Sequence, residues 1–283
     1  MKKLLILGGS GFVGNSIIDF AIDKKLIKDN ISQIYILSRT NKSNKKKYKH
    51  IEINYICKNI IDTKKIPEVD YIIYCLKSFN IKTSNKYFNQ FLKLLKTLKK
   101  KPKILFTSSG AVYGKDNTKR KYNEKKAIKI SSINQHNGYK KKYSKEKIFL
   151  EKKFQLLGIK NYMVSIARCY TFIGKDIVNY NYAISDLINS AFAKTSVKLD
   201  TKINVYRSFM HSDDLSKWLI KILKNSTKKC PIYNVGSDEV INLRALTKKI
   251  AYSVNKKPIL KKISSKKIDY YVPSIAKAKK ELN

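Results

Sequence analysis

A glycine-rich turn directly after the first apolar run constrains this chain more than any other feature. Glycines at positions 8, 11 and 14 follow the apolar run 3–7 and open a segment of helical spacing. Glycines so placed allow a sharp turn, let a pyrophosphate approach main-chain N–H groups, and let the helix pack closely on the strand. The pattern predicts a dinucleotide-binding turn; the alternative is a glycine turn without a ligand. The candidate cofactor-binding residues here are Gly8, Ser10, Gly11, Phe12, Val13 and Gly14.

Short apolar runs alternate with segments of helical spacing through the first 168 residues. The predicted strands are 3–7, 33–37, 51–56, 71–76, 104–107 and 162–167, and the clearest helices between them are 13–22, 86–99 and 143–157. Strands joined by helical crossovers form a parallel sheet covered on both faces. The sequence therefore predicts an α/β fold, a Rossmann-type doubly wound parallel sheet.

The alternation weakens after Arg168, where helical segments at 183–192, 213–223 and 243–254 are separated by short apolar pieces. This predicts an NAD(P)-binding domain over residues 1–168 and a smaller C-terminal substrate-binding lobe over 169–283. The boundary is approximate, because strands of the lobe can join the main sheet. The polar stretch 114–142 is expected to be a loop on the substrate side.

The formal net charge of +41 raises the question of a polyanionic partner. Only five of the 61 basic residues are arginine, and the lysines occur from end to end. This is typical of a solvated surface and argues against specific nucleic-acid binding, although an anionic ligand would be attracted.

No run approaches the roughly 20 apolar residues of a membrane span, and no secretory signal is visible, so a cytoplasmic location is expected. The four scattered cysteines are predicted to be buried free thiols.

The end of the second predicted strand bears on which cofactor the chain prefers. An acidic side chain there would accept hydrogen bonds from the ribose 2′-OH, whereas this strand ends in Ser38 and Arg39. Both residues suit a 2′-phosphate, so NADP is favoured over NAD. The alternative is that Arg39 is simply a solvated residue at a strand end.

A serine, a tyrosine and a lysine form the candidate catalytic group. Ser109 follows the fifth predicted strand, and Tyr143 and Lys147 are four residues apart on one helix, hence on one face. An ammonium near a phenol lowers the phenol's pKa and makes it a usable acid/base, while the serine can hydrogen-bond the reacting oxygen. Chance is the alternative, since the chain is rich in tyrosine and lysine.

Six motifs occur together in an order that resembles one family. They are GxxGxxG at 8–14, SSGAVYG at 108–114, YxxxKxxxE at 143–151, ARCYTFIG at 167–174, YRSFMHSDDL at 206–215 and YNVGSDE at 233–239. The chain resembles the extended short-chain dehydrogenases/reductases, in their nucleotide-sugar epimerase/dehydratase branch, over nearly its whole length.

The resemblance implies roles residue by residue. Ser109, Tyr143 and Lys147 match the catalytic residues, and Lys147 also matches the lysine that binds the nicotinamide ribose. Asn59 stands where relatives have an Asp near the adenine, and Leu76 where small residues line the cofactor.

Arg207 matches an arginine that contacts the substrate diphosphate; its alternative is an ion pair with Asp213 or Asp214. Asn181 is a further candidate substrate contact, Lys266 or Lys267 could supply a second diphosphate contact, and no metal is implied. Relatives often form homodimers.

Gly110 and Ala111 stand where hexose-dehydrating relatives have two acids, so 4,6-dehydration is not expected. The resemblance then implies a nucleotide-sugar epimerase that transiently oxidises a sugar hydroxyl, at C4, with tyrosine as acid/base. The alternatives are an NADPH-dependent reductase of nucleotide 4-keto sugars and a non-catalytic dinucleotide-binding protein.

Overall fold

A computed structural model describes residues 1–23, 25–40, 45–175, 177–180, 182–193 and 195–282. The strands in this part of the chain are β1 (Lys2–Leu7), β2 (Ile31–Ser38), β3 (Lys45–Tyr48), β4 (Ile51–Cys57), β5 (Tyr71–Tyr74), β6 (Lys103–Ser109), β7 (Met163–Cys169), β8 (Phe172–Ile173), β9 (Ser196–Leu199), β10 (Asn204–Arg207), β11 (Met210–His211), β12 (Ile232–Val235), β13 (Ile241–Asn242), β14 (Lys257–Leu260) and β15 (Ile268–Tyr271). The α-helices are α1 (Phe12–Ile22), α2 (Ile81–Lys96), α3 (Ile130–Asn134), α4 (Gly138–Ile159), α5 (Ala183–Ala193), α6 (Ser212–Lys224), α7 (Leu243–Ser253) and α8 (Ala276–Glu281).

A single large sheet organises the molecule, in the order β12-β7-β6-β5-β1-β2-β4-β3. Seven of its strands run parallel, and β3 pairs antiparallel with β4 at one edge. All six predicted strands are present in it. The strand order reverses between β1 and β5, and in a sheet of this kind ligands bind at that switch point, beyond the carboxyl ends of the strands. The Rossmann-type fold predicted from the sequence is confirmed.

Helices cover both faces of the sheet because each buries one apolar stripe. On one face, α1 and α6 pack together and bury side chains such as Ile17 and Leu219. On the other face, α2 and α4 contribute Phe91 and Phe154, and the Phe154 ring stacks on Phe106 of β6 at 4.6 Å. Asparagine side chains cap two of the described α-helices: the Asn80 side chain accepts from the Thr83 amide, and that of Asn242 from the Arg244 amide.

The C-terminal part of the chain contributes to two layers. Small sheets β13-β10-β15 and β14-β9 lie with α5 and α7 around a separate apolar cluster that includes Leu187 and Leu243. By contrast, β12 pairs with β7 in the main sheet, and α6 packs on β6 and β7. The division of the chain near residue 168 stays a prediction.

Two local expectations from the sequence differ from the structure. The polar stretch 114–142 is not one loop, because α3 interrupts it and α4 begins at Gly138, a turn before the predicted start. All four cysteines are free, but Cys57 is exposed and Cys75 is partly exposed. Within the described ranges, no helix combines the length and the apolar character needed to cross a membrane. The expected cytoplasmic location stays a prediction.

Candidate active site

A cavity of about 490 Å³ opens at the carboxyl edge of the sheet, beside the switch point between β1 and β5. Its wall is built by the glycine turn, the ends of β6 and β7, one face of α4 and segments of the C-terminal part. Nine of the candidate site residues line it: Gly8, Gly11, Phe12, Val13, Gly14, Ser109, Tyr143, Lys147 and Arg207. Residues more than a hundred positions apart in the chain therefore meet at one site.

The glycine turn has the shape of a phosphate cradle. Gly8 has φ +80°, a conformation that L side chains rarely adopt, and a side chain on Gly14 would run into the Gly9 carbonyl oxygen. At Gly11, by contrast, an added Cβ would have only the Gly8 carbonyl oxygen, 4.0 Å away, as a neighbour. No side chain caps the N-terminus of α1. An open approach to uncapped helix amides fits a dinucleotide pyrophosphate.

The other predicted cofactor-binding residues lie outside the cavity lining. Ser38 is buried and its hydroxyl donates to the Thr40 carbonyl at 3.1 Å, so that hydrogen is already used. Arg39 is exposed at the end of β2. Asn59 begins a short 3₁₀ turn, where its side chain accepts from the Ile61 amide at 3.3 Å. Leu76 packs beside Gly8. Ser10 is also outside the lining, and Asn181 lies outside the described residues.

Helix α4 presents Lys140, Tyr143 and Lys147 to the cavity from one face, as their spacing of three and four residues requires. The Lys147 ammonium is buried and donates to the Thr107 carbonyl at 2.8 Å. It lies 5.6 Å from the centre of the Tyr143 ring and 4.8 Å from that of Phe106. The predicted pairing of this phenol and this ammonium on one helical face is therefore present, with β6 fixing the lysine.

Burial sets the proton affinities of this pair. It raises the pKa of the Tyr143 phenol well above its usual range, an effect that the hydrogen bond with Ser109 opposes. It also lowers the pKa of the Lys147 ammonium, which nearby Glu146 opposes. The sequence predicted a lowered pKa for this phenol, and the structure gives a raised one, because burial disfavours the phenolate and the hydrogen bond with Ser109 offsets only part of that effect.

Ser109 ends β6 and lies within reach of a second tyrosine. Its Oγ is 3.3 Å from the Tyr271 hydroxyl and accepts from the Ala111 amide at 3.2 Å. The Tyr271 hydroxyl in turn donates to the Cys169 carbonyl at 3.4 Å. The hydroxyl-bearing side chains of Ser109, Tyr143 and Tyr271 therefore line one part of the cavity together.

Arg207 lines the cavity on the side of the C-terminal part. Its guanidinium contacts both carboxylate oxygens of Asp269 at 3.1 Å, and its Cζ lies 5.8 Å from the centre of the Tyr271 ring. Among the described residues Arg207 pairs with Asp269 and not with Asp213 or Asp214, so the alternative drawn from the sequence is wrong; Asp213 pairs with Lys25. The nearby Arg207 and Lys140 side chains hold the pKa of Asp269 well below its usual range, so this carboxyl group is ionised.

A buried carboxylate anchors the opposite wall. Glu146 on α4 accepts from the backbone amides of Ser78 and Phe79 at 2.8 and 2.9 Å, and from the Ser84 hydroxyl. This holds Phe79 at φ +57°, with its ring 5.6 Å from that of Tyr143. The loop after β5 is thus fixed to the same helix that carries Tyr143.

Comparison with known proteins places this site in a family. The family model described as the NAD dependent epimerase/dehydratase family matches residues 4–236. The chain belongs to the NAD dependent epimerase/dehydratase family. No curated protein sequence matches the chain significantly.

Several solved structures share the fold at low sequence identity. UDP-N-acetylglucosamine 4-epimerase from Bacillus cereus is 18% identical, with a TM-score of 0.72, and the match covers 100% of this chain and 90% of that one. UDP-glucose 4-epimerase from Bifidobacterium longum, in complex with NAD⁺ and UDP, is 16% identical with a TM-score of 0.72, covering 99% and 92%. RMD from Pseudomonas aeruginosa, complexed with NADPH, is 16% identical with a TM-score of 0.71, covering 100% and 92%.

One departure from the dehydrating members of the resembled branch has a steric basis. A Cβ on Gly110 would lie 2.5 Å from atoms of the Tyr170 ring. The space that an acidic side chain would need at this position is therefore filled by Tyr170, and Ala111 beside it is buried.

Sequence reasoning missed several groups of this family member's site. Tyr271 and Asp269 lie in β15, far along the chain from Ser109, and no spacing links them. Lys140 could have been found, since it is three residues before Tyr143 and so on the same helical face. Among the described residues, no group of three or more His, Cys, Asp or Glu side chains is arranged to hold a metal ion.

Proposed function

We propose that this chain is an NAD(P)-dependent nucleotide-sugar epimerase that transiently oxidises a sugar hydroxyl, at C4. One observation carries the proposal: Ser109, Tyr143 and Lys147 line the same cavity as the open face of the glycine turn. A dinucleotide with its pyrophosphate on that turn would extend its nicotinamide toward Tyr143. When bound, the cofactor takes up and returns the hydride.

The protein's own groups supply proton transfer and positioning. Tyr143, acting as the phenolate, accepts the proton of the sugar hydroxyl, and Ser109 donates a hydrogen bond to that oxygen as it becomes a carbonyl. Lys147, held by the Thr107 carbonyl, would bind the ribose of the cofactor, and its positive charge beside the phenolate opposes the rise that burial causes in the pKa of Tyr143. Net epimerisation follows when the keto sugar rotates within the site and is then reduced on its opposite face.

Substitution of Tyr143 tests this mechanism. In Tyr143→Phe the acid/base group is lost while the ring and its packing stay, so turnover of UDP-sugars should fall by about a thousandfold or more. Affinity for NADPH should stay within a few-fold of wild type. Tyr252→Phe, an exposed tyrosine on α7, is the matched control and should retain full turnover. Turnover in Tyr143→Phe equal to wild type would remove the phenol from the mechanism.

A reductase of nucleotide 4-keto sugars is the second candidate, favoured by Arg39 at the end of β2 because NADPH pools drive reduction. The two reactions use the same residues and differ in their need for cofactor. An epimerase should be purified with tightly bound oxidised cofactor and require none added. Stoichiometric consumption of NADPH with a 4-keto sugar nucleotide would establish the reductase instead.

A non-catalytic role is distinguished by activity and salt. If the wild type turns over no sugar nucleotide but binds RNA with an affinity that falls steeply with salt, the dinucleotide-binding alternative is correct. We expect turnover, because the phenol of Tyr143, the hydroxyl of Ser109 and the ammonium of Lys147 in one cavity are the groups that oxidation of a hydroxyl requires.

A further inference from the structure

Lys140 is a cavity-lining ammonium that the proposed mechanism leaves unused. It lies on α4 three residues before Tyr143, and its Nζ is 4.9 Å from the centre of the Tyr271 ring. Within the part of the chain that the structure describes, its Nζ makes no hydrogen bond or ion pair. Burial lowers the pKa of this ammonium to about 8; the charge of Asp269 opposes this effect, and Arg207 and Lys115 add to it. A partly buried cation that has no direct hydrogen-bonded counter-ion is costly, because Asp269, the only carboxylate among the described residues that acts on it, pairs with other cations; a bound anion would offset that cost.

Asp269 is the acidic residue that raises the pKa of Lys140, and it already forms ion pairs with two other cations. Asp269 contacts the Arg207 guanidinium and the Lys115 ammonium, each at 3.1 Å. Lys140 and Arg207 meanwhile lie against the same Tyr271 ring, at 4.9 and 5.8 Å. Three cations and one carboxylate thus leave a surplus of positive charge on this wall of the cavity.

The position of Lys140 limits which ligand group it can meet. Three residues of helix separate it from Tyr143, a rise of about 5 Å, which is close to the width of a sugar ring. An anion held by Lys140 while Tyr143 contacts the reacting hydroxyl therefore belongs to the sugar or to the phosphate directly attached to it. Lys266 and Lys267, the substitutes suggested by the sequence, are exposed and lie outside the cavity lining.

The resemblance already assigns Arg207 to the substrate diphosphate; we propose that Lys140 adds a second cation beside it and holds an anionic oxygen group of the substrate, supplied by the diphosphate or by a carboxylate on the sugar. The inference rests on the proposed function in taking the ligand to be a sugar nucleotide. Its chemistry is that of charge-assisted hydrogen bonding from an ammonium and a guanidinium that share one aromatic support.

The test measures the binding of UDP, UDP-glucose and UDP-glucuronate by calorimetry to the full chain and its variants. Lys140→Gln and Lys140→Met remove the charge, Lys140→Arg keeps it, and Lys145→Gln, on the exposed face of the same helix, is the control. Loss of a charge-assisted hydrogen bond should weaken binding by about tenfold or more in the Gln and Met variants. Lys140→Arg should restore most of the affinity, and Lys145→Gln should match the wild type.

The pattern across ligands identifies the source of the anion. An equal loss for UDP and UDP-glucose assigns the diphosphate, and a loss confined to UDP-glucuronate assigns a sugar carboxylate. The proposal is overturned if both uncharged variants bind all three ligands as Lys145→Gln does, or if the wild type binds none at millimolar concentration. Titration with NADPH and with NADH is run separately: failure to bind either cofactor would refute the proposed function and leave the anion site to be judged on the UDP ligands.

Discussion

Arg168 and Glu151 form a two-pronged ion pair inside the protein, with Nε 3.0 Å from Oε1 and Nη2 2.7 Å from Oε2. Their side chains are only 5% and 4% exposed. The pair joins β7 to α4, and the Ser108 hydroxyl donates to the same Glu151 oxygen at 2.5 Å. It therefore connects the strand end beside the cavity with the helix that carries Tyr143.

Removing one member of this pair should strongly destabilise the fold. Glu151→Gln leaves the Arg168 guanidinium buried without a counter-charge, so the free energy of unfolding should fall by about 3–5 kcal/mol in urea denaturation. Asp200→Asn, which breaks an exposed pair with Lys261, is the control and should leave stability nearly unchanged. A small loss in Glu151→Gln would mean that water reaches the guanidinium.

The open face of Gly11 can be separated from the stability of the turn. Gly11→Ser adds a side chain where the structure has space and supplies a good N-cap for α1, so thermal stability should be retained. The same side chain would occupy the approach of a pyrophosphate, so NADPH affinity should fall by about tenfold or more. Gly14→Ser, whose Cβ would clash with the Gly9 carbonyl oxygen, should instead lower the melting temperature. Unchanged NADPH binding in Gly11→Ser would place the pyrophosphate elsewhere.

Cofactor preference should depend on Arg39. Its exposed guanidinium can pair with a 2′-phosphate but has no comparable partner in NADH, so Arg39→Gln should weaken NADPH binding by about tenfold. NADH binding should change by less than about twofold. Arg120→Gln, another exposed arginine, is the control. Equal effects on the two cofactors would show that Arg39 does not read the 2′-phosphate.

His136 should make stability fall in mild acid. It is buried, its Nε2 lies 3.2 Å from the Ala111 carbonyl oxygen, and burial with nearby Lys140 lowers its pKa from 6.5 to about 4. Because the unfolded chain binds the proton first, stability is complete above pH 6.5 and is lost as the pH falls toward 4, by up to about 3 kcal/mol from this group.

The measurement is urea unfolding at pH 7.5 and at pH 5. In His136→Gln the difference in unfolding free energy between the two pH values should be smaller than in wild type. His211→Gln, at the exposed start of α6, should keep the wild-type difference. An undiminished difference in His136→Gln would assign the acid sensitivity to other groups.

Local patterns in the sequence were sufficient for the fold and for half of the site. Apolar alternation located the strands of the sheet, the glycine spacing located the turn, and the four-residue step from Tyr143 to Lys147 placed both on one face. Each of these depends on a period set by backbone geometry, which acts over a few residues whatever surrounds them. The sequence placed the start of α4 too late, because the first turn of this helix is polar and carries no apolar period.

Tertiary packing alone decided the rest. Ser109 and Tyr271 are 162 positions apart in the chain. Arg207 pairs with Asp269 rather than with Asp213 or Asp214, which are nearer to it in the sequence. The pKa of Tyr143 was set by burial rather than by the lysine one turn away. Such contacts and the desolvation that accompanies them depend on which segments the sheet order brings together. Because lysines occur along the whole chain, composition does not distinguish Lys140, which lines the cavity, from the lysines that remain in water; only its helical spacing from Tyr143 does.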